Sequence, residues 1–200
     1  GDDLLIVQSG ELTAADTITG GSGNDTIRLD NPTKAWPGTA VTITANLGGS
    51  VTGIETLLVN ALENSYDNNT VQSVFEAAYA QTGITVDGSA LDAGEVLDVS
   101  TVAQDDDIDA VTENFTIIGG AGNDIFRMGD NLGGDSINGN GGIDTIHMSG
   151  TVVNADFVGV SSVEVLTMDT PSSATLAAAA QSAGILTVNG SAGNDTINAS

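Results

Sequence analysis

Apolar and polar residues alternate in short bursts along this chain, and glycine and aspartate separate the bursts. The stretches VTITANL (41–47), IETLLV (54–59), VEVLTM (163–168) and LTVNG (186–190) are brief, apolar and rich in β-branched residues, so they predict strands. Two stretches have helical spacing instead. In TVQSVFEAAYAQTG (70–83), Val71, Val74, Phe75, Ala78 and Tyr79 share one helical face and Gly83 suits a C-cap, which predicts a helix near 70–82. In TPSSATLAAAAQSAG (170–184), Thr170 suits an N-cap, Pro171 the first helical position and Gly184 the end, which predicts a helix near 171–183.

The punctuation between the bursts repeats. Gly-x-Asp-x-apolar occurs as GDDLL (1–5), GNDTI (23–27), GNDIF (122–126), GGDSI (133–137), GIDTI (142–146) and GNDTI (193–197). A degenerate copy, AADTI, holds Asp16, and AGEVLDVS (93–100) fits the frame with Glu95 in the aspartate place. The apolar residues two after the acid are Leu5, Ile18, Ile27, Phe126, Ile137, Ile146 and Ile197, and alternation points them inward from short strands. A longer period lies above the short one. TGGSGNDTIRL (19–29) resembles IGGAGNDIFRM (118–128), and VTGIETLLVN (51–60) resembles VSSVEVLTMD (160–169). Two modules follow, 1–110 and 111–200, each with one short helix.

Composition narrows the chemistry. Of 200 residues, 27 are acidic and 3 basic (Arg28, Lys34 and Arg127), for a formal charge of −24. Nucleic acid and anionic membrane surfaces are poor partners, because binding phosphate needs a lysine and arginine surface. Cysteine is absent, so disulfide staples and thiolate metal sites are excluded. No apolar run is long enough to span a membrane. The chain opens inside a motif and reads as a segment of something longer.

The glycines let a turn take positive φ and bring backbone carbonyls close to one point, and aspartate adds an anionic oxygen there. Calcium takes six to eight oxygens from such groups. One turn supplies too few; two stacked turns, with an ion between them, supply enough. The chain is thus expected to bind several Ca2+ ions. QDDDIDAVTEN (104–114) crowds further carboxylates, among them Asp107 and Asp109, either as a solvated loop or as a loop that completes a calcium site.

GGSGNDTIR and GGAGNDIFR resemble the nonapeptide of RTX repeat proteins, Gly-Gly-x-Gly-x-Asp-x-apolar-x. The resemblance implies a mainly β fold, a right-handed parallel β-solenoid (an RTX β-roll or β-helix), here with interrupted repeats. It implies that successive nonapeptides alternate sides and that calcium sits between turns two repeats apart. Carried over, Asp25, Asp124, Asp144 and Asp195 take the ligand-aspartate place, and Gly20, Gly119, Gly139 and Gly190 the first-glycine place. Gly23, Gly122 and Gly133 are further turn glycines at the metal, and Asp3, Asp135 and Asp16 match in part. An unbroken roll would put partner aspartates about 18 residues apart. Asp124 to Asp144 is 20 and Asp3 to Asp25 is 22, so either the coils bulge between them or other residues complete the sites.

The interrupted repeats, with long Thr/Val/Ala-rich segments, resemble bacterial S-layer and related surface proteins. That resemblance implies an extracellular, cell-surface location, type I secretion, and assembly with further copies or neighbouring modules. An accessory RTX module of a secreted enzyme, toxin or adhesin is the alternative, and cell-surface polysaccharide is a further partner class through the inserted loops. No HExxH, Ser-His-Asp set or Gly-x-Ser-x-Gly elbow appears, and the single histidine, His147, alternates outward. The chain is therefore expected not to be an enzyme.

Overall fold

The computed structural model describes residues 1–8, 10–13, 15–30, 42–47, 51–59, 69–75, 84–100, 114–129, 132 and 134–199. Strands begin directly after the acidic corners. The first part holds β1 (Leu4–Gln8), β2 (Ile18–Thr19), β3 (Thr26–Asp30), β4 (Thr42–Leu47), β5 (Val51–Thr52), β6 (Thr56–Val59), β7 (Asn69–Phe75), β8 (Thr85–Asp87) and β9 (Glu95–Ser100). The second holds β10 (Thr116–Ile118), β11 (Ile125–Arg127), β12 (Ser136–Asn138), β13 (Thr145–Met148), β14 (Val160–Ser161), β15 (Val165–Met168), β16 (Ser173–Leu176), α1 (Ala178–Ala183), β17 (Thr187–Asn189) and β18 (Thr196–Ala199).

Two seven-stranded sheets carry most of these strands. One runs β1-β3-β6-β8-β10-β12-β14 and the other β4-β7-β9-β11-β13-β15-β17. Every pair described is parallel. From β8 to β15 the chain alternates between the two sheets, strand by strand. The motifs of Asp135 and Asp144, nine residues apart, thus open strands in opposite sheets, while Asp124 and Asp144 precede neighbouring strands of one sheet. This arrangement is consistent with a β-roll. The sheets continue across residue 110, since β8 pairs with β10 and β9 with β11.

Register follows from the repeat. In the first sheet Leu5, Ile27, Leu57, Val86, Ile117, Ile137 and Val160 stand opposite one another. In the second, Val99, Phe126, Ile146, Leu166 and Val188 do so. The central members are fully buried, and their strands alternate buried and half-buried residues. A one-residue slip would turn every such row outward, so the apolar rows pin the stack. Of the seven residues expected to point inward, Ile27, Phe126, Ile137 and Ile146 are buried. Leu5 and Ile197, on the edge strands β1 and β18, are 40% and 46% exposed, and Ile18 is half-buried.

Two helix expectations need correction. Asn69–Phe75 is strand, paired on both sides with β4 and β9 over six residues each. Three of its seven residues, Thr70, Val71 and Val74, are β-branched, and a central place in a ladder overrides a helical spacing that so short a window barely defines. Residues 76–82 of that expected helix lie outside the described residues. In the second module the helix is shorter than 171–183: Ser173–Leu176 is strand and only Ala178–Ala183 is helical. Thr170 does not cap it. Asn154 Oδ1, from a distant 3-10 turn (Asn154–Phe157), accepts the N–H groups of Ala177 (2.9 Å), Ala179 (3.0 Å) and Ala180 (3.3 Å) instead. Gly184 does end the helix, at φ 106.

Phe126 sits at 0% exposure within its row, so Phe126→Ala should lower unfolding free energy by about 3–5 kcal/mol. Ile143, 60% exposed, should tolerate Ile143→Thr within about 0.5 kcal/mol. Urea denaturation in calcium-containing buffer checks both.

Candidate metal centre

The acid that ends each Gly-x-Asp turn is the last residue before a strand, so stacked coils bring these acids into columns. In the first sheet Asp3 N–H donates to Asp25 Oδ1 (2.8 Å) and Asp25 N–H donates to Glu55 Oε2 (2.7 Å). In the second, Leu97 N–H donates to Asp124 Oδ1 (2.8 Å), Asp124 N–H to Asp144 Oδ1 (2.7 Å) and Asp144 N–H to Glu164 Oε2 (2.9 Å). Each carboxylate thus grips the backbone of the coil beside it. Two further acids do the same singly: Asp135 Oδ1 accepts Phe115 N–H (2.8 Å) and Asp195 Oδ1 accepts Ser172 N–H (3.1 Å).

The glycines make room for the columns. A Cβ on Gly139 would collide with the Ser162 carbonyl oxygen and with Asp144 Oδ2. A Cβ on Gly119 would collide with Asp124 Oδ2 and lie 2.6 Å from the Gly139 carbonyl oxygen. At Gly20 it would strike the Gly53 carbonyl and lie 2.6 Å from Asp25 Oδ2, and at Gly190 it would lie 2.8 Å from Asp195 Oδ2. Gly23 and Gly142 take φ of 135 and 123 and press against the backbone of Gly1 and Gly122 in the coils before them, while Gly122 presses on Glu95. Each first glycine therefore leaves a small space walled by one carboxylate oxygen and, at Gly20, Gly119 and Gly139, by a carbonyl of the next coil.

Burial makes these carboxylates unusual. Asp25, Asp124 and Asp144 are at most 1% exposed. Asp25 Oδ2 and Asp144 Oδ2 are buried and have no hydrogen-bond donor, whereas Asp124 Oδ2 accepts Gly120 N–H (2.7 Å). Desolvation pushes Asp124 up to about 6, against the hydrogen bonds from Leu97 and Gly120 that favour its ionised form. It pushes Asp144 up to about 7, where the hydrogen bond from Asp124 opposes it and the charges of Asp124 and Glu164 add to it. Among the described residues no three acidic or histidine side chains converge. A cation at these corners would take its remaining oxygens from backbone carbonyls, and the glycine spaces hold such carbonyls. The donors are oxygens only, which suits calcium.

Several sequence expectations fall elsewhere. Glu95 is not in the column: it lies two residues before Leu97, the residue opposite Asp124, and its carboxylate accepts Asp92 N–H of its own turn (2.9 Å). Asp16 closes its own turn, accepting Thr13 N–H (2.7 Å) and Thr13 Oγ1–H (3.0 Å). Asp3 ends the first column by its backbone. Asp107, Asp109 and Gly133 lie outside the described residues. His147 is half-buried, with Nδ1 2.8 Å from Asp169 Oδ1. Glu55 and Glu164 went unnoticed in the sequence, although GIETL (53–57) is the Gly-x-acid-x-apolar pattern with glutamate for aspartate. The internal match of VTGIETLLVN to VSSVEVLTMD already aligned the two.

The family model for the RTX calcium-binding nonapeptide repeat (4 copies) matches residues 13–31, 103–131 and 187–200. The chain thus carries RTX calcium-binding nonapeptide repeats, and the matches include Asp25, Asp124 and Asp195. No curated protein matches the chain, and no solved structure does.

Asp124 and Asp144 hold protons in the fold at pH values where the unfolded chain has lost them, so without calcium the folded state binds more protons and its stability falls as pH rises. The β structure that metal-stripped protein keeps, read by circular dichroism, should decline from pH 5.5 to pH 8. In calcium-containing buffer, Gly139→Ala should cost about 1–3 kcal/mol, because a carbonyl or a carboxylate must move. Gly141→Ala, whose Cβ would meet nothing nearer than 3.8 Å, should change stability by less than about 0.5 kcal/mol, as urea denaturation in the same buffer would read.

Proposed function

We propose that this chain is a calcium-dependent structural segment of a secreted bacterial cell-surface protein of the S-layer kind, a right-handed β-solenoid that folds and assembles when it meets Ca2+ outside the cell. The observation that carries the reading is the pair of columns in which buried carboxylates stack coil on coil, two of them with an oxygen that no donor satisfies. Asp25, Asp124 and Asp144, with their first glycines Gly20, Gly119 and Gly139, would hold the ions; Asp3, Asp135 and Asp195 with Gly190 are candidates at the ends of the stack. Calcium would supply the positive charge that these desolvated oxygens lack. Without it, the columns carry unbalanced negative charge within a chain of formal charge −24.

Magnitudes support a folding role. Extracellular calcium modules bind at ~10⁻⁴–10⁻³ M, and at millimolar calcium a site of ~10⁻⁴ M adds about 1.4 kcal/mol. Three or four such sites would add about 4–6 kcal/mol, a large share of a typical domain's ~5–15. The chain would stay loose where calcium is scarce and order where it is abundant.

The two modules, 1–110 and 111–200, are read as successive lengths of one stack. Assembly with further copies or neighbouring modules belongs to the same reading. The work is mechanical, and no catalytic role is assigned to any residue. An accessory module of a secreted enzyme, toxin or adhesin rests on the same family match, and a catalytic domain elsewhere in the parent chain would select it.

Circular dichroism during calcium titration should show β structure gained over the range ~0.1–1 mM and lost on chelation. A spectrum indifferent to chelation overturns the reading.

A further inference from the structure

Among the described residues, the two buried aspartate oxygens without a donor do not fall at random. Asp25 Oδ2 and Asp144 Oδ2 belong to the two aspartates that stack on a glutamate rather than on another aspartate. Where aspartate stacks on aspartate, at Asp124, the equivalent oxygen has a donor in Gly120 N–H.

The two glutamate corners share one geometry. Gly20 N–H donates to the Thr52 carbonyl (3.0 Å), and Gly139 N–H donates to the Ser161 carbonyl (3.1 Å). The next residues, Gly53 and Ser162, both have positive φ, 63 and 52. For serine this left-handed conformation is unfavourable, and it turns up here only where Gly53 does the same. The carbonyls of Gly53 and Ser162 wall the spaces at Gly20 and Gly139, beside the donorless oxygens. The corners lie in different sheets, with coils of 30 and 20 residues, yet they arrive at the same set of oxygens.

We propose that Glu55 and Glu164 complete two calcium sites of mixed Asp–Glu type, each made of an aspartate Oδ2, the glutamate, and the carbonyl two residues before it. The nonapeptide encodes neither glutamate, and Glu55 and Glu164 lie outside the matched residues. One oxygen of each glutamate holds the aspartate N–H, and on this proposal the other would face the ion. All donors are oxygens, two of them carboxylates, which selects a hard divalent cation. This inference rests on the calcium reading above and extends it to corners the motif does not mark.

Glutamine preserves the hydrogen bond to the aspartate N–H through its side-chain carbonyl and removes only the charge. Calcium bound per chain, measured by equilibrium dialysis at 1 mM calcium on the full chain, should fall by one ion in Glu55→Gln, by one in Glu164→Gln and by two in the double variant. Glu11→Gln, at an exposed carboxylate that closes a separate turn, should bind as the unaltered chain does. Stoichiometry and affinity unchanged in the double variant overturn the inference while leaving calcium binding at the aspartate corners intact. Should the glutamine variants fail to fold, anomalous scattering from crystals of the unaltered chain grown in calcium decides. Peaks beside Asp25 Oδ2 and the Gly53 carbonyl, and beside Asp144 Oδ2 and the Ser162 carbonyl, support it. Empty glutamate corners beside a filled Asp124–Asp144 step overturn it. A chain that takes up no calcium at all fails both the inference and the reading beneath it.

Discussion

A carboxylate shut away from water must find donors or a cation, and in this fold each column carboxylate finds its donor in the backbone of the adjacent coil. Parallel strands lie about 4.8 Å apart, so an aspartate just before one strand can reach the N–H at the same level of the next. Asp124 and Asp144 do so at 2.8 and 2.7 Å. That bond fixes where a coil begins relative to its neighbour. Once the beginning is fixed, the residue two later faces inward, and Phe126, Ile146 and Leu166 fall into one row. The glycines before the acid follow from the same constraint, because a side chain at Gly119 or Gly139 would occupy the space the carboxylate needs. Acid, glycine and apolar residue are thus three consequences of one stacking contact.

This linkage explains what was legible in the sequence. Within the stack, where the motif is intact, strand start, inward residue and column member could all be read from spacing, as at Asp25–Ile27 and Asp144–Ile146. Reading failed where a long-range partner overrules local pattern. Asn69–Phe75 has helical spacing, but ladder bonds to β4 and β9 decide its form, and neither partner is near in sequence. The short helix at Ala178–Ala183 is capped by Asn154, which no local window contains. Glu95 fits the local pattern, yet the register of β9 against β11 gives the column place to Leu97. Glu55 and Glu164 were hidden for a different reason: neither follows a Gly-Gly-x-Gly string, and before Glu164 a serine, Ser162, stands in the glycine place.

The columns are interrupted as well as repeated. In the first sheet the places after Glu55 go to Ile84 and Phe115, buried at 0% and 3% exposure, before Asp135 resumes the acid. In the second sheet the register gives the place to Ile43, Val71 and Leu97 in turn, and three acids then follow. An apolar residue at this place needs no counter-ion. It stabilises the stack by burial alone, whereas an acid there stabilises it only when its charge is met. The chain therefore combines coils whose corner is apolar with coils whose corner carries a charge.

That alternation bears on how the charge of the molecule is used. Among the described residues more acids sit outside the columns than within them, and the exposed ones repel one another weakly through water and salt. The few within the columns are desolvated, and Asp144, flanked by Asp124 and Glu164, feels both neighbours through a medium that screens poorly. Self-repulsion is thus concentrated at a small number of places, each beside backbone carbonyls. A proton or a divalent cation would relieve it there, but only a cation could also tie one coil to the next, by taking oxygens from both. Ion binding at these places would join neighbouring coils at particular points along the register that the apolar rows set.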